Sequence, residues 1–165
     1  MVDRARGKKS SKRGSVQKAF IKKATYKEIP YIAELLVELF SIEKDFTIDK
    51  HRHINALKIL LDEPLAIAIV AVIDEQIVGF ASMQRVISTA TGGYSGLIED
   101  VIIKNDFRSH GIGNMLIDRL INEAKKLSYK RVQLLCDMSN HNAQQFYFKK
   151  SFVQSSMQGY YLTLP

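Results

Sequence analysis

Two acids stand side by side in an otherwise apolar run, Leu97-Ile-Glu-Asp-Val-Ile-Ile-Lys104, and a basic, glycine-containing turn follows it, Arg108-Ser-His-Gly-Ile-Gly113. A carboxylate on a strand can serve as a general base at the reactive end of a bound ligand, and a turn whose main-chain N–H groups open into a helix can hold phosphate. Glu99 is the first candidate for such a base and Asp100 the second. Side chains alternate along a strand, so the two acids are expected on opposite faces, and only one can face a bound ligand directly; which one depends on any bulge. A third element, Asn140-x-x-Ala-x-x-Phe-Tyr147, puts Asn140, Ala143 and Tyr147 on one helical face. The Tyr147 phenol is a candidate acid for a leaving group.

The turn excludes two nucleotide-binding patterns. Leu116 stands where a dinucleotide fingerprint needs its third glycine, and no Gly-Lys-Ser/Thr supplies a P-loop. What remains is main-chain donation from a helix start to a diphosphate, although the same glycines would serve a closely packed helix start. His51-x-His53 has no evident further ligands and reads as surface rather than metal site. His110 reads as a solvent-facing turn residue, and Cys136, in an apolar strand, as inert core.

These groups need elements to position them. Ala19–Ala24 reads as a first strand. Thr25-x-x-Glu28 has capping-box spacing, and the helix after it carries Ile29, Ile32, Leu35, Leu36, Leu39 and Phe40 on one stripe. Pro30 falls in its opening turns. Residues 41–50 read as a polar loop, 51–62 as a second helix, Leu65–Ile73 as a buried strand, Asp74–Gln76 as a turn and Ile77–Ile87 as a hairpin partner. Ser88–Gly96 reads as a loop, Leu97–Lys104 as a strand, Gly111–Leu127 as a helix, Arg131–Cys136 as a strand, Asn140–Lys150 as a helix and Met157–Leu164 as a final strand. The predicted class is α/β, a sheet with both faces covered.

Composition limits the rest. The chain has 165 residues, 46% of them hydrophobic and 25% charged, as expected for one globular domain. No apolar run approaches the roughly 20 residues needed to span a bilayer, and the basic N-terminus lacks the apolar stretch of a secretion signal. A single cysteine fits a reducing compartment, so a cytoplasmic location is expected. The net charge of +7 is concentrated at one end. Residues 1–18 hold seven Lys and Arg against Asp3 alone, while residues 19–165 are nearly balanced. This tail is expected to be disordered, and either solvated or in weak contact with nucleic acid, ribosome or an anionic membrane surface.

Taken together, the strand with its acids, Arg-x-x-Gly-x-Gly, a helix, a strand and then Asn-x-x-Ala-x-x-Phe-Tyr-x-x-x-x-Phe152 resemble the GCN5-related N-acetyltransferase (GNAT) superfamily. The resemblance covers residues 19–165 in element order and 97–152 in motif detail. Two positions depart from the usual pattern: Ser151, where glycine is common before the Phe, and Arg108, where glutamine is common. The resemblance implies a mixed central sheet flanked by helices, with parallel strands 97–104 and 131–136 splaying apart. It implies acetyl-CoA as donor, with no metal. The segment Val101-Ile102-Ile103 would border the pantetheine arm, paired through the amides of Val101 and Ile103. The backbone of Arg108, Ser109, His110, Gly111, Ile112, Gly113 and Asn114 would hold the pyrophosphate. Asn140, Ala143 and Phe146 would line the pantetheine channel, and Tyr147 would reach the sulfur.

Ile98-Glu-Asp-Val, Leu116-Ile-Asp-Arg-Leu and Leu135-Cys-Asp137 are similar to segments of amino-sugar-phosphate and other small-amine acetyltransferases, and this likeness implies Asp137 as a third site acid, the alternative being a cap for the last helix. The implied acceptor is therefore a small-molecule primary amine, and Lys22, Lys23, His51, His53 and Arg85 are available to a phosphorylated one. A homodimer is also implied. The alternatives are a protein N-terminal or lysine acetyltransferase, and a non-catalytic module that uses its tail on nucleic acid.

Overall fold

The structure is a computed structural model, and it describes residues 18–42 and 48–164. The tail expectation, apart from Lys18, and the middle of the 41–50 loop lie outside the described residues. Five strands form one sheet in the order β1-β2-β3-β4-β5. They are β1 (Phe20–Lys23), β2 (Ile67–Ile73), β3 (Gln76–Ser88), β4 (Gly93–Ile103) and β5 (Arg131–Leu134). The first four pair antiparallel, and β4 and β5 pair parallel. The helices are α1 (Ile29–Ile42), α2 (Lys50–Asp62), α3 (Ile112–Lys126) and α4 (His141–Lys149). None of them is long and apolar enough to cross a membrane.

Strand alternation splits the core in two. Val70, Val72, Phe80 and Ile102 pack under α1 and α2, against Ile29, Ile32, Leu36 and Leu57. Ile69, Ala71, Ala81, Met83 and Ile98 pack under α3, against Ile112, Leu116, Ile117 and Leu120. The predicted α1 stripe is the face that is buried. Its start is fastened by Glu28, whose carboxylate accepts from the Thr25 N–H at 2.7 Å, the Thr25 hydroxyl at 2.6 Å and Lys22 Nζ at 2.7 Å. Burial pushes the Glu28 carboxyl up, but these donors outweigh it and hold the group at about 2. Helix α2 is capped by Asp49, which accepts from the N–H groups of His51 and Arg52.

Three expectations are corrected. Gln76 belongs to β3: the β2–β3 connection is the pair Asp74-Glu75, both at positive φ, as a two-residue turn with the strands' own twist requires. Much of the Ser88–Gly96 loop is strand, since β3 and β4 pair from Ser88↔Gly93 onward. The third concerns Met157–Leu164, which form no strand. Val153, Met157, Tyr160, Leu162 and Leu164 lie exposed there, so β5 borders the sheet among the described residues.

Candidate active site

The acids sit at an irregularity in the β3–β4 ladder. Ala81 opposes Val101 and Met83 opposes Ile98, so Ser82 alone faces both Glu99 and Asp100. This is a bulge, two residues against one. Ile98 and Val101 both pack on the α3 side, which turns the two acids together toward the α1–α2 side. The expectation of opposite faces fails for this reason. Ser82, buried, clasps the bulge: its hydroxyl donates to Asp100 Oδ2 at 2.9 Å, and the Asp100 N–H donates to its oxygen at 3.3 Å. Burial pushes the Asp100 carboxyl up to about 6, the Ser82 hydrogen bond opposing and the Glu99 charge assisting. Glu99 is exposed.

Beyond the bulge, β4 loses its parallel neighbour. The β4–β5 pairing runs from Ser95↔Arg131 to Ile98↔Leu134 and stops, while β4 continues to Ile103. The two expected parallel strands do part here. Which main-chain groups border the gap follows from ladder parity. The Lys104 N–H donates to the Val78 carbonyl, so Ile102 and Phe80 form the next hydrogen-bonded pair. Val101 and Ile103 then direct N–H and C=O away from β3, and the Ile103 carbonyl indeed accepts from Arg108 Nε at 2.9 Å. Ile102, expected with them, is turned the other way: its main chain faces β3 and its side chain is buried under α1.

The turn before α3 reaches the same place. Ser109 and Gly111 have φ of 64° and 80°, so the chain coils tightly and its N–H groups converge as α3 begins. The first bond of that helix is from the Met115 N–H to the Gly111 carbonyl, which leaves Ile112, Gly113 and Asn114 without helical acceptors. Arg108 departs from expectation. Its N–H donates to the Asn105 carbonyl at 3.1 Å, and its guanidinium ties Ile103 to Glu38 of α1, Nη2 to Oε1 at 2.7 Å. The run of converging amides therefore starts at Ser109. Glu38, 70 positions away, was missed because nothing local in sequence pairs it with Arg108.

Helix α4 closes the other side. A methyl group on Gly113 would lie 3.4 Å from Ile103 Cδ1 and 3.5 Å from Phe146 Cζ, so strand edge, helix start and α4 meet at one point. Asn140 is the predicted cap, its Oδ1 accepting from the Ala143 N–H at 3.0 Å. Asp137 accepts from the Ser139 N–H and hydroxyl in the loop before it. Gln144, which sequence reading passed over, ties α4 back to that loop through the carbonyls of Asp137 and Met138. Tyr147 is set by the helix end. The Ser151 N–H donates to the Phe148 carbonyl and the Phe152 N–H to the Tyr147 carbonyl, with Ser151 at φ 64°. This is a Schellman close, and its apolar contact is the Tyr147–Phe152 ring pair, edge-on at 5.6 Å.

Other candidates lie elsewhere. Lys22 pairs with Glu28, Arg85 lies 4.3 Å over the Tyr94 ring, and His53 stacks on Phe40 with its Nε2 accepting from the Asp49 N–H. Cys136 is partly exposed rather than core.

The site thus combines a strand gap edged by main-chain groups, a helix start with converging amides, a paired-acid bulge and a positioned phenol. The likeness to known proteins is one of family and fold. The model of the acetyltransferase (GNAT) family matches residues 29–152. A transcriptional regulator from Bacillus halodurans C-125 is 24% identical over 89% of this chain and 100% of its own, with a TM-score of 0.79. An aminoglycoside acetyltransferase from an uncultured soil metagenomic sample is 21% identical over 89% and 97%, with a TM-score of 0.73. The ribosomal-protein-alanine N-acetyltransferase of Brucella melitensis biovar Abortus 2308 is 20% identical over 89% and 100%, with a TM-score of 0.69. At these identities the solved structures speak to the fold alone.

Proposed function

The chain belongs to the GNAT family of acetyltransferases, and from that membership we propose that it acetylates the primary amine of a small molecule, with acetyl-CoA as donor. The observation that carries this reading is the bulge that presents Glu99 and Asp100 beside the strand gap. When bound, acetyl-CoA supplies an acyl group already activated as a thioester. The amides of Ser109 through Asn114 receive its pyrophosphate at the positive end of α3. Val101 and Ile103 pair with the pantetheine amides as a strand would. Asn140, Ala143 and Phe146 form the far wall.

Transfer needs a neutral amine, and aliphatic amines are protonated near pH 7. Asp100 accepts that proton, directly or through a water beside Glu99, because a carboxylate titrating at about 6 is both ionised and basic enough at neutral pH. The amine nitrogen would then attack the thioester carbonyl carbon, the C–S bond would break, and the surplus proton on nitrogen would pass back to the Tyr147 oxygen as that group protonates the sulfur. A main-chain N–H near Val101 would steady the developing oxyanion, and the Tyr147 hydroxyl would donate its proton to the departing sulfur. A small acceptor suits a bulge facing helices α1 and α2, which cover that side of the sheet.

The test is thiol release from acetyl-CoA across amines spanning amino sugars, polyamines, aminophosphonates, aminoglycosides and peptides. Turnover is expected with a small amine. Turnover with peptides alone would replace this reading by protein acetylation, and no binding of acetyl-CoA at sub-millimolar concentration would remove it altogether.

A further inference from the structure

On its own face of the sheet the acid bulge stands at a border. From β3 and β4, the residues that pack with α1 and α2 are Ile77, Phe80 and Ile102, and all three lie to one side of it. To the other side the face continues. Met83, Ile98, Val132 and Leu134 point to the α3 side, so Gln84, Leu97, Gln133 and Arg131, one residue along, point to the face that carries the acids. Cross-strand pairing sets this face in two rows. Gln84, Leu97 and Gln133 form the nearer, and Val86, Ser95 and Arg131 the farther.

The nearer row lies about 7 Å from Glu99 along β4, with its two glutamines about 10 Å apart across the sheet. Gln84 is exposed and Gln133 partly so, and each amide can both donate and accept. Neither side chain has a hydrogen-bond partner among the described residues, and Arg131 has no carboxylate partner there. The farther row also holds Ser95 Oγ, a buried oxygen with no hydrogen-bond partner among the described residues. The face beside the acids thus offers two amides and then an unpaired cation. A hydrocarbon acceptor would strip water from these groups and return nothing, whereas hydroxyls would satisfy them.

We propose that Gln84, Gln133 and Arg131 select the acceptor: a hydroxylated amine whose hydroxyls bond to the two amides while its nitrogen lies at the acids, and whose anionic group, phosphate or carboxylate, pairs with Arg131. This rests on the small-amine reading above and narrows it. Arg131 stands two rows, about 13 Å, from the acids, a span that one sugar ring with its substituents and the arginine's own length can bridge. The contacts are hydrogen bonds and an ion pair, and they add no covalent step to the transfer.

The experiment measures kcat and KM for thiol release with cyclohexylamine, glucosamine, glucosamine 6-phosphate and 2-amino-2-deoxyglucuronate. The full chain is expected to prefer glucosamine to cyclohexylamine, and an anionic sugar to glucosamine, each by about tenfold or more in kcat/KM. Gln84→Met combined with Gln133→Met keeps the side-chain volume and removes the amides. It should cancel the first preference, mainly through KM, while an unchanged Kd for acetyl-CoA reports an intact fold. Arg131→Gln should cancel the second preference, and Arg131→Lys should restore part of it. The anionic sugar that is affected distinguishes phosphate from carboxylate. Preferences that survive these substitutions, or a full chain that lacks them, would overturn the proposal and leave the small-amine reading standing. Turnover with peptides alone, or no binding of acetyl-CoA, would instead remove the reading beneath it.

Discussion

Asp100 holds its proton to about pH 6 because burial outweighs the Ser82 hydrogen bond, and two measurements follow. As base it must be ionised, so the rate should rise with pH and level off above about 6. Asp100→Asn should remove that limb and lower kcat about 10²- to 10³-fold. If Glu99→Gln removes the limb instead, Glu99 is the base. Stability should move the other way. The folded chain binds this proton more tightly than the unfolded chain, whose carboxyl titrates near 3.8. Its contribution is therefore complete below pH 4 and declines as pH rises to 6. At pH 7 Asp100→Asn should be more stable by about 2 kcal/mol, read from denaturant midpoints. Tyr147→Phe should lower turnover more than it weakens acetyl-CoA binding, and unchanged turnover would remove the phenol as acid. The acids and the tyrosine stand out in sequence as candidates by their types and spacing. The bulge does not, since Ser82 has no pattern marking it as the residue opposite two.

The elements show where periodicity suffices and where it does not. Helices α1, α3 and α4 announced themselves by stripes and caps. The start of β4 did not: Gly93, Ser95 and Gly96 look like loop, yet a methyl group on Gly96 would fall 2.4 Å from Met83 Sδ. Glycine is there so that a strand can pass a buried methionine, a tertiary reason that local sequence does not carry. The opposite error occurred at Met157–Leu164, whose apolar pattern suits a strand although the described fold pairs it with none. The departure at Ser151 has an energetic meaning. Serine at φ 64° bears a Cβ that glycine would not, so Ser151→Gly should stabilise by about 1 kcal/mol in thermal unfolding. Asp49→Ala should destabilise by about 1 kcal/mol through loss of the α2 cap, with acetyl-CoA affinity unchanged.

At the scale of the whole molecule, one sheet divides the labour. Its α3 face and strand gap would receive the donor, its α1–α2 face the acceptor, and the Arg108–Glu38 pair joins the two. A ligand that bridges β4, α3 and α4 stabilises only the folded state. Saturation at a hundred times Kd should add about 2.7 kcal/mol, raising the thermal midpoint by several degrees. The antiparallel strands β2, β3 and β4 are linked by near neighbours, especially in the long β3–β4 hairpin. By contrast β4 and β5 meet across all of α3 and share only four pairs. A short ladder closed over such a connection, like the four-pair β1–β2 ladder closed over α1 and α2, is slow to make and easy to undo. Amide hydrogens of β5 should therefore exchange well before those of β2 and β3. The wall beside the donor would be among the first parts of the sheet to breathe.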